Sequence, residues 1–223
     1  MEDVLREQLA YYRARAGEYD ESVQGIGTDE PEREEANQQW LQIVQALRSL
    51  SLVDDVLELA CGTGIWTQEL AQIGRRITAI DGSPEMIEIN RAKHGSAAVE
   101  YRCTDLFAWE PEKQYDLVFF AFWLSHVPPS RLSDLLSKVA RATKPGGRVF
   151  MVDEPKSDRN ISGPNLEGLY QHRTLQNGQS FRIVKVYYDP RELEGELLQR
   201  GFQKHSMVLG KSFFSLCATR ISP

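Results

Sequence analysis

"DDVLELACGTGIWTQELAQIG", residues 54–74, decides the fold. Its first half is a short apolar run around Val56, Leu57 and Leu59, the composition of a strand buried on both faces. Gly62 and Gly64 then break the run, and a helical pattern follows. A strand, a glycine-rich turn and a helix in that order bring backbone N–H groups to the carboxyl edge of a sheet, where open α/β folds bind small molecules. The dinucleotide fingerprint asks for a third glycine that lets helix and strand pack closely. Thr67 stands there, so a nicotinamide cofactor is not expected.

Outward from this stretch the same rhythm repeats. "RRITAID" (75–81) reads as a second strand, and "SPEMIEINRAKHG" (83–95) as a helix with Ser83 as N-cap and Pro84 at its first position. "VEYRCTD" (99–105) and "YDLVFFAF" (115–122) are further strands, "PSRLSDLLSKVARAT" (129–143) a helix stopped by "KPGG", and "RVFMVDE" (148–154) a fifth strand. Strands alternating with helices of this length imply βαβ units and a parallel sheet. Upstream, Leu5, Leu9, Tyr12, Ala16 and Tyr19 predict an amphipathic helix over residues 3–20, and Trp40, Ile43, Val44 and Leu47 a second over 34–49. "DESVQGIGTDEPEREE" (20–35), with two glycines, a proline and seven acidic residues, reads as a mobile solvated segment between them. Downstream, a hairpin over about 169–187 precedes the helix "PRELEGELLQRG" and two strands, "FQKHSMVL" and "KSFFSLCATR".

At 223 residues the chain suits one α/β domain. Its net charge of −6 lacks the basic footprint of a nucleic-acid binder. The three cysteines are far apart and the four histidines show no paired spacing, so neither a disulfide framework nor a metal site is expected. With no signal-like or membrane-spanning apolar run, a reducing cytoplasmic setting follows. The sequence carries no signal for oligomeric state.

Three acidic residues fall at strand ends. Glu58 precedes the glycine turn. Asp81 closes the second strand, where a carboxylate can accept both hydroxyls of a ribose, and Asp105 closes the third, where it can receive the exocyclic amine of an adenine. Met86 and Leu106 are placed to cover the faces of that ring. With Glu58, Gly62, Gly64, Asp81 and Asp105, the chain resembles the class I S-adenosylmethionine-dependent methyltransferases, whose pattern E/D-x-x-x-G-x-G is matched by "ELACGTG". "LVFFAFWLSHVPP" and "KPGGRVFMVDE" are similar to the family's fourth strand with its loop and to its fifth-strand signature. "YYRARAGEYD", "LFAWEPEKQYDLVFFAFWLSHVP" and "RTLQNGQSFRIVKV" resemble the branch of phosphonate O-methyltransferases of dehydrophos biosynthesis and relatives, with a departure over residues 21–36.

The resemblance implies a Rossmann-like, seven-stranded, mostly parallel sheet whose last strand is antiparallel, in one domain. It would divide into a helical lid (1–50), a cofactor core (51–155), an inserted hairpin that meets substrate (156–190), and a C-terminal helix and strand pair (191–223). It also implies S-adenosyl-L-methionine as cofactor and a small-molecule acceptor. The lid would bring Tyr19 to the cofactor and Tyr12 to the acceptor, while Ala60, Thr63, Gly82, Phe107 and Phe122, beside the residues already named, would complete the cofactor wall. Trp66 and Cys61 read as packing.

For the acceptor, "RTLQNGQSFR" (173–182) carries an Asn-Gly pair, the signal for a two-residue hairpin turn. Counting outward from Gln176 and Gln179 pairs Arg173 with Arg182, two like charges that a bound anion would reconcile. Alternation then turns Lys185 to the other face. An O-methyltransferase of a phosphonate or carboxylate held by Arg173 and Arg182 is the first reading. Alternatives are an N- or phenolic O-methyltransferase using His126 as base, and a non-catalytic cofactor-binding module.

Overall fold

The computed structural model describes residues 1–24, 30–96, 98–161 and 166–221. From the N-terminus it runs α1 (Glu2–Arg15), a short 3-10 turn (Ala16–Glu18), α2 (Tyr19–Gln24), α3 (Glu30–Arg48), β1 (Val53–Leu59), α4 (Ile65–Leu70), β2 (Gly74–Asp81), α5 (Pro84–His94), β3 (Val99–Cys103) and β4 (Tyr115–Ala121). It continues through α6 (Pro129–Ala142), β5 (Thr143–Asp153), α7 (Asp158–Ile161), β6 (Leu166–Glu167), β7 (Tyr170–Thr174), β8 (Ser180–Val184), α8 (Pro190–Leu198), β9 (Phe202–Leu209) and β10 (Phe214–Arg220).

Seven strands form the main sheet in the order β3-β2-β1-β4-β5-β10-β9. Pairing is parallel from β3 to β5, and β10 runs antiparallel to both β5 and β9. Apolar runs without polar alternation make sense here because both faces are covered. In β4, Val118 and Phe120 face the layer of α6 and α8, with Leu136, Val139, Leu193 and Leu197. Leu117 and Phe119 face the opposite layer, with Ile43 and Leu47 of α3 and Leu70 of α4. The chain direction across the sheet reverses between β1 and β4, so a crevice opens at their carboxyl ends.

Three elements differ from the sequence reading. The helix expected over 3–20 breaks at Ala16–Glu18 into α1 and α2. The acidic stretch 20–35 is helical at both ends, in α2 and from Glu30 in α3, while its centre, 25–29, lies outside the described residues. The "KPGG" expected to separate α6 from the fifth strand is instead the beginning of β5, pairing Thr143 with Tyr115.

The hairpin differs as well: its register is one residue away from the expected one. Thr174 pairs Ser180, Arg173 pairs Phe181 and His172 pairs Arg182. A two-residue turn of the expected type needs positive φ at both central residues. Only Gly178 has it (φ 84), and Asn177 does not. The loop is therefore three residues long, closed by Gly178 N–H to Leu175 O (2.9 Å) and Leu175 N–H to Gln179 O (2.9 Å), with Asn177 Oδ1 accepting from Gln179 N–H (2.9 Å). The extra residue turns Arg173 and Arg182 to opposite faces. The outer edge of β8 is closed by α1: Arg182 N–H and Val184 N–H donate to the side chains of Glu7 and Gln8 at 2.5 and 2.9 Å.

Candidate functional site

A cavity runs along the carboxyl ends of β1 to β4, roofed by Leu5, Gln8, Leu9 and Tyr12 of α1 and by Tyr19 of α2. Its floor begins with the glycine turn. Ala60, Gly62 and Gly64 have φ of 55, 52 and 95. At Gly64 a Cβ would lie 2.6 Å from Asn90 Oδ1, so the close approach of α5 also requires glycine. The turn is held from behind by Asn90, whose Nδ2 donates to Gly62 O (3.3 Å) and Thr67 Oγ1 (2.8 Å), and whose Oδ1 accepts from Tyr101 (2.9 Å). Thr67 donates in turn to Glu58 Oε2 (2.6 Å). Glu58 is fully buried and burial pushes its carboxyl up to about 8. Glu58, Thr63 and Gly64 are thus not on the described cavity wall; they shape the turn that is. Sequence reasoning missed Asn90, whose partners Gly62, Thr67 and Tyr101 are brought to it by three different elements, and gave Thr67 no role beyond the absence of a third glycine.

At the β2 and β3 end, Asp81 lines the cavity. Its Oδ2 accepts from Gly62 N–H (2.9 Å) and its Oδ1 from Ser83 N–H (2.8 Å), while burial raises its carboxyl. Ser83, as expected, caps α5 by accepting from Met86 N–H (3.2 Å). Gly82, Met86, Asp105, Leu106 and Phe107 stand on the same wall, with Asp105 exposed and accepting from Phe107 N–H (2.9 Å). Roof and floor are joined on this side. Asp20 of α2 accepts from Thr63 Oγ1 (2.5 Å) and pairs with Lys93, and Arg13 of α1 makes a two-pronged bond to Glu85 at 3.0–3.1 Å.

The β4 end carries Phe122, Trp123 and His126. Tyr12 Oη lies 2.7 Å from His126 Nε2, and His126 Nδ1 lies 2.8 Å from the carbonyl oxygen of Val184. A carbonyl only accepts, so Nδ1 carries the proton and Nε2 accepts from Tyr12. Burial, with the nearby charges of Lys185, Arg173 and Arg15, holds the His126 pKa well below its usual value. A weakly basic imidazole is a poor proton acceptor at neutral pH. Tyr19, pushed up to about 12 mainly by burial, keeps its proton.

The register decides which hairpin cations share the face that packs with Tyr12, although neither Arg173 nor Lys185 is on the described cavity wall. Arg173 shares a hairpin face with Phe181 and Ile183, and alternation carries Lys185 to that same face. Arg173 influences Tyr12, His126 and Tyr187 electrostatically; among the described residues it forms no ion pair, and its buried Nε has no hydrogen-bond partner. Lys185, nearly fully buried, donates to Ser125 Oγ (3.2 Å) and pairs with Glu154. Behind them Asp153 accepts from Ser125 N–H (2.9 Å), its carboxyl pushed up to about 6 by burial. Arg182 leaves the expected clamp: it faces Glu7 at 3.7 Å and lies over the Tyr170 ring at 5.5 Å. Cys61 is buried and its thiol is pushed well up by burial, consistent with packing. Among the described residues no helix is long and apolar enough to cross a membrane.

Residues 56–147 match a family profile described as a methyltransferase domain. The chain is 27% identical over 179 residues to the demethylmenaquinone methyltransferase of Tropheryma whipplei, covering 75% of this chain and 74% of the relative. To the ubiquinone biosynthesis O-methyltransferase of Bordetella avium it is 30% identical over 157 residues, covering 68% and 63%. Among solved structures, the DhpI–SAH complex superposes with a TM-score of 0.80 at 39% identity over 100% of both chains, and the DhpI–SAM–HEP complex with 0.82 at 39% over 97% of both.

Proposed function

The chain belongs to the class I S-adenosylmethionine-dependent methyltransferases, and from that premise we propose that it O-methylates a small anionic acceptor, a phosphonate or carboxylate, oriented by Arg173 and Lys185. The observation that carries this reading is Arg173. Its buried Nε has no hydrogen-bond partner, which is costly unless a ligand supplies one; Arg182 Nε is in the same state, so it is the hairpin face and not the open nitrogen that distinguishes the two. Arg173 is half-buried on the hairpin face it shares with Phe181 and Ile183, which pack with Tyr11 and Tyr12, and its charge is felt at Tyr12 and His126; the buried Lys185 lies further along that face, and neither cation is on the described cavity wall. The similarity to DhpI, whose solved complex holds SAM together with HEP, supports a small-molecule acceptor bound along with the cofactor.

The residues of the cavity fit S-adenosyl-L-methionine. Asp81 offers a carboxylate at the wall, the positive-φ turn Ala60–Gly64 brings backbone close to a ligand, and Met86, Leu106 and Phe107 supply apolar faces beside Asp105. When bound, the cofactor supplies a methyl group activated on a sulfonium. This chain's part is alignment and exclusion of water: α1 and α2 roof the crevice, and Arg173 and Lys185 orient the acid while leaving one oxygen free to attack. An ionised acid oxygen needs no base. The neutral, weakly basic His126 suits that chemistry, and its work is to hold the Tyr12 hydroxyl in place. The three cysteines are free thiols, in keeping with the cytoplasm as site of action.

The test is kinetic. Arg173→Gln should raise KM for an acidic acceptor by roughly 30- to 150-fold, the worth of a charge-assisted contact of about 2–3 kcal/mol. Arg182→Gln should leave it within about threefold. Equal effects of the two variants, or none from Arg173→Gln, would remove the anion site from the account.

A further inference from the structure

Phe122 is one of two non-glycine residues among the described ones with positive φ (54), a conformation rare and costly for an aromatic side chain. It occurs just past the end of β4, where Phe122 N–H still donates across to Val152 O at 2.9 Å. The consequence is where the ring lies. It stacks on Trp40 of α3 (centroids 6.0 Å apart, planes 3° apart) and meets Phe213 edge-on at 5.4 Å. Phe122 lines the main cavity at its β4 end, whereas Trp40 and Phe213 stand behind it and separate it from a second cavity whose other walls are largely polar, with Asp20, Glu69, Lys93 and His94.

We propose that Phe122 is a specificity-determining residue: its ring is the partition that closes the acceptor end of the main cavity and restricts the enzyme to short acids. Without that ring the main cavity would extend to the rings of Trp40 and Phe213, an aromatic-walled recess able to take an alkyl or aryl tail. This rests on the anionic-acceptor reading above. The strained backbone is what makes the device workable, because a residue with ordinary φ at this position would not direct its ring between Trp40 and Phe213. Trp66 backs the wall, with its ring 4.7 Å from that of Trp40.

Glycine adopts φ near 54 without strain, so Phe122→Gly removes the ring and keeps the turn; Phe122→Asn, which also tolerates this region, serves as a second variant. Two readouts are taken on the full chain, with alkylphosphonates from methyl to hexyl and phenylphosphonate as probes. One is kcat/KM for methyl transfer, and the other is calorimetric binding in the presence of S-adenosylhomocysteine. The expected result is that the hexyl-to-methyl ratio rises at least about tenfold in both readouts for both variants. A ratio unchanged from wild type in folded Phe122→Gly and Phe122→Asn overturns the partition. If wild type methylates none of the probes but both variants still bind the longer ones preferentially, the partition stands and the acceptor class falls.

Discussion

The Tyr12 hydroxyl donates to Nε2 of His126 across 2.7 Å, and the imidazole is fixed in that orientation by Val184 O on its other side. Both partners are unreactive as acids and bases near neutrality, because burial raises the tyrosine and lowers the histidine. Turnover of an acidic acceptor should therefore show no limb near pH 6.5 between about pH 6 and 8. Tyr12→Phe should lower unfolding stability by about 1 kcal/mol, the worth of its hydrogen bond to His126, and leave KM for an ionised acceptor within about threefold, because the one phenol proton is already given to the imidazole. An inflection near 6.5 that disappears in His126→Gln would restore the histidine as base.

Glu58 predicts a pH dependence of stability. Its folded pKa of about 8 lies above the ordinary 4.5, so its stabilising contribution is complete below pH 4.5 and is lost as pH rises towards 8. Within that window the loss is about 1.4 kcal/mol per pH unit at most. Glu58→Gln keeps an oxygen for Thr67 and has no charge to bury. Its melting temperature should therefore gain on wild type steadily from pH 5 to 8 in the unliganded protein. Parallel curves would show that Glu58 does not titrate there.

Asp81 faces the cavity while holding the N–H groups of Gly62 and Ser83. Asp81→Asn should weaken S-adenosylhomocysteine binding by roughly 10- to 100-fold, about 1.4–2.7 kcal/mol. Calorimetry returning the wild-type affinity would end the ribose assignment.

Asp20 ties the roof to the glycine turn. Its ion pair with Lys93 is about a third exposed and contributes little, but Thr63 is buried and loses its acceptor in Asp20→Ala. Unfolding stability should fall by about 1 kcal/mol, and S-adenosylhomocysteine should dissociate several-fold faster in stopped-flow measurements. Lys93→Ala should do less. Equal effects of the two variants would place the latch in the ion pair.

The parallel core was legible because its signals are local: apolar runs, the turn glycines, and the Ser83–Pro84 start of α5. Asp81, Asp105, Met86 and Leu106 could be placed on one crevice for the same reason, since each closes a strand or opens the element after it. The acceptor end was not legible in the same way. One backbone angle, at Asn177, separates a two-residue from a three-residue loop, and it exchanges Arg182 for Lys185 on the hairpin face of Arg173. Nor does any pattern of residues disclose that Phe122 adopts positive φ, because its surroundings, Val152 on the neighbouring strand and the rings of Trp40 and Phe213, are distant in the chain.

The closure of β8 by Glu7 and Gln8 has a consequence for solubility. An exposed strand edge is a template on which other chains can add, and here the two donors that would recruit them are occupied by side chains of the first helix. The N-terminal helix is thus a guard against self-association as well as a roof. Trimming it would leave a bare ribbon whose first encounter is with another copy of itself.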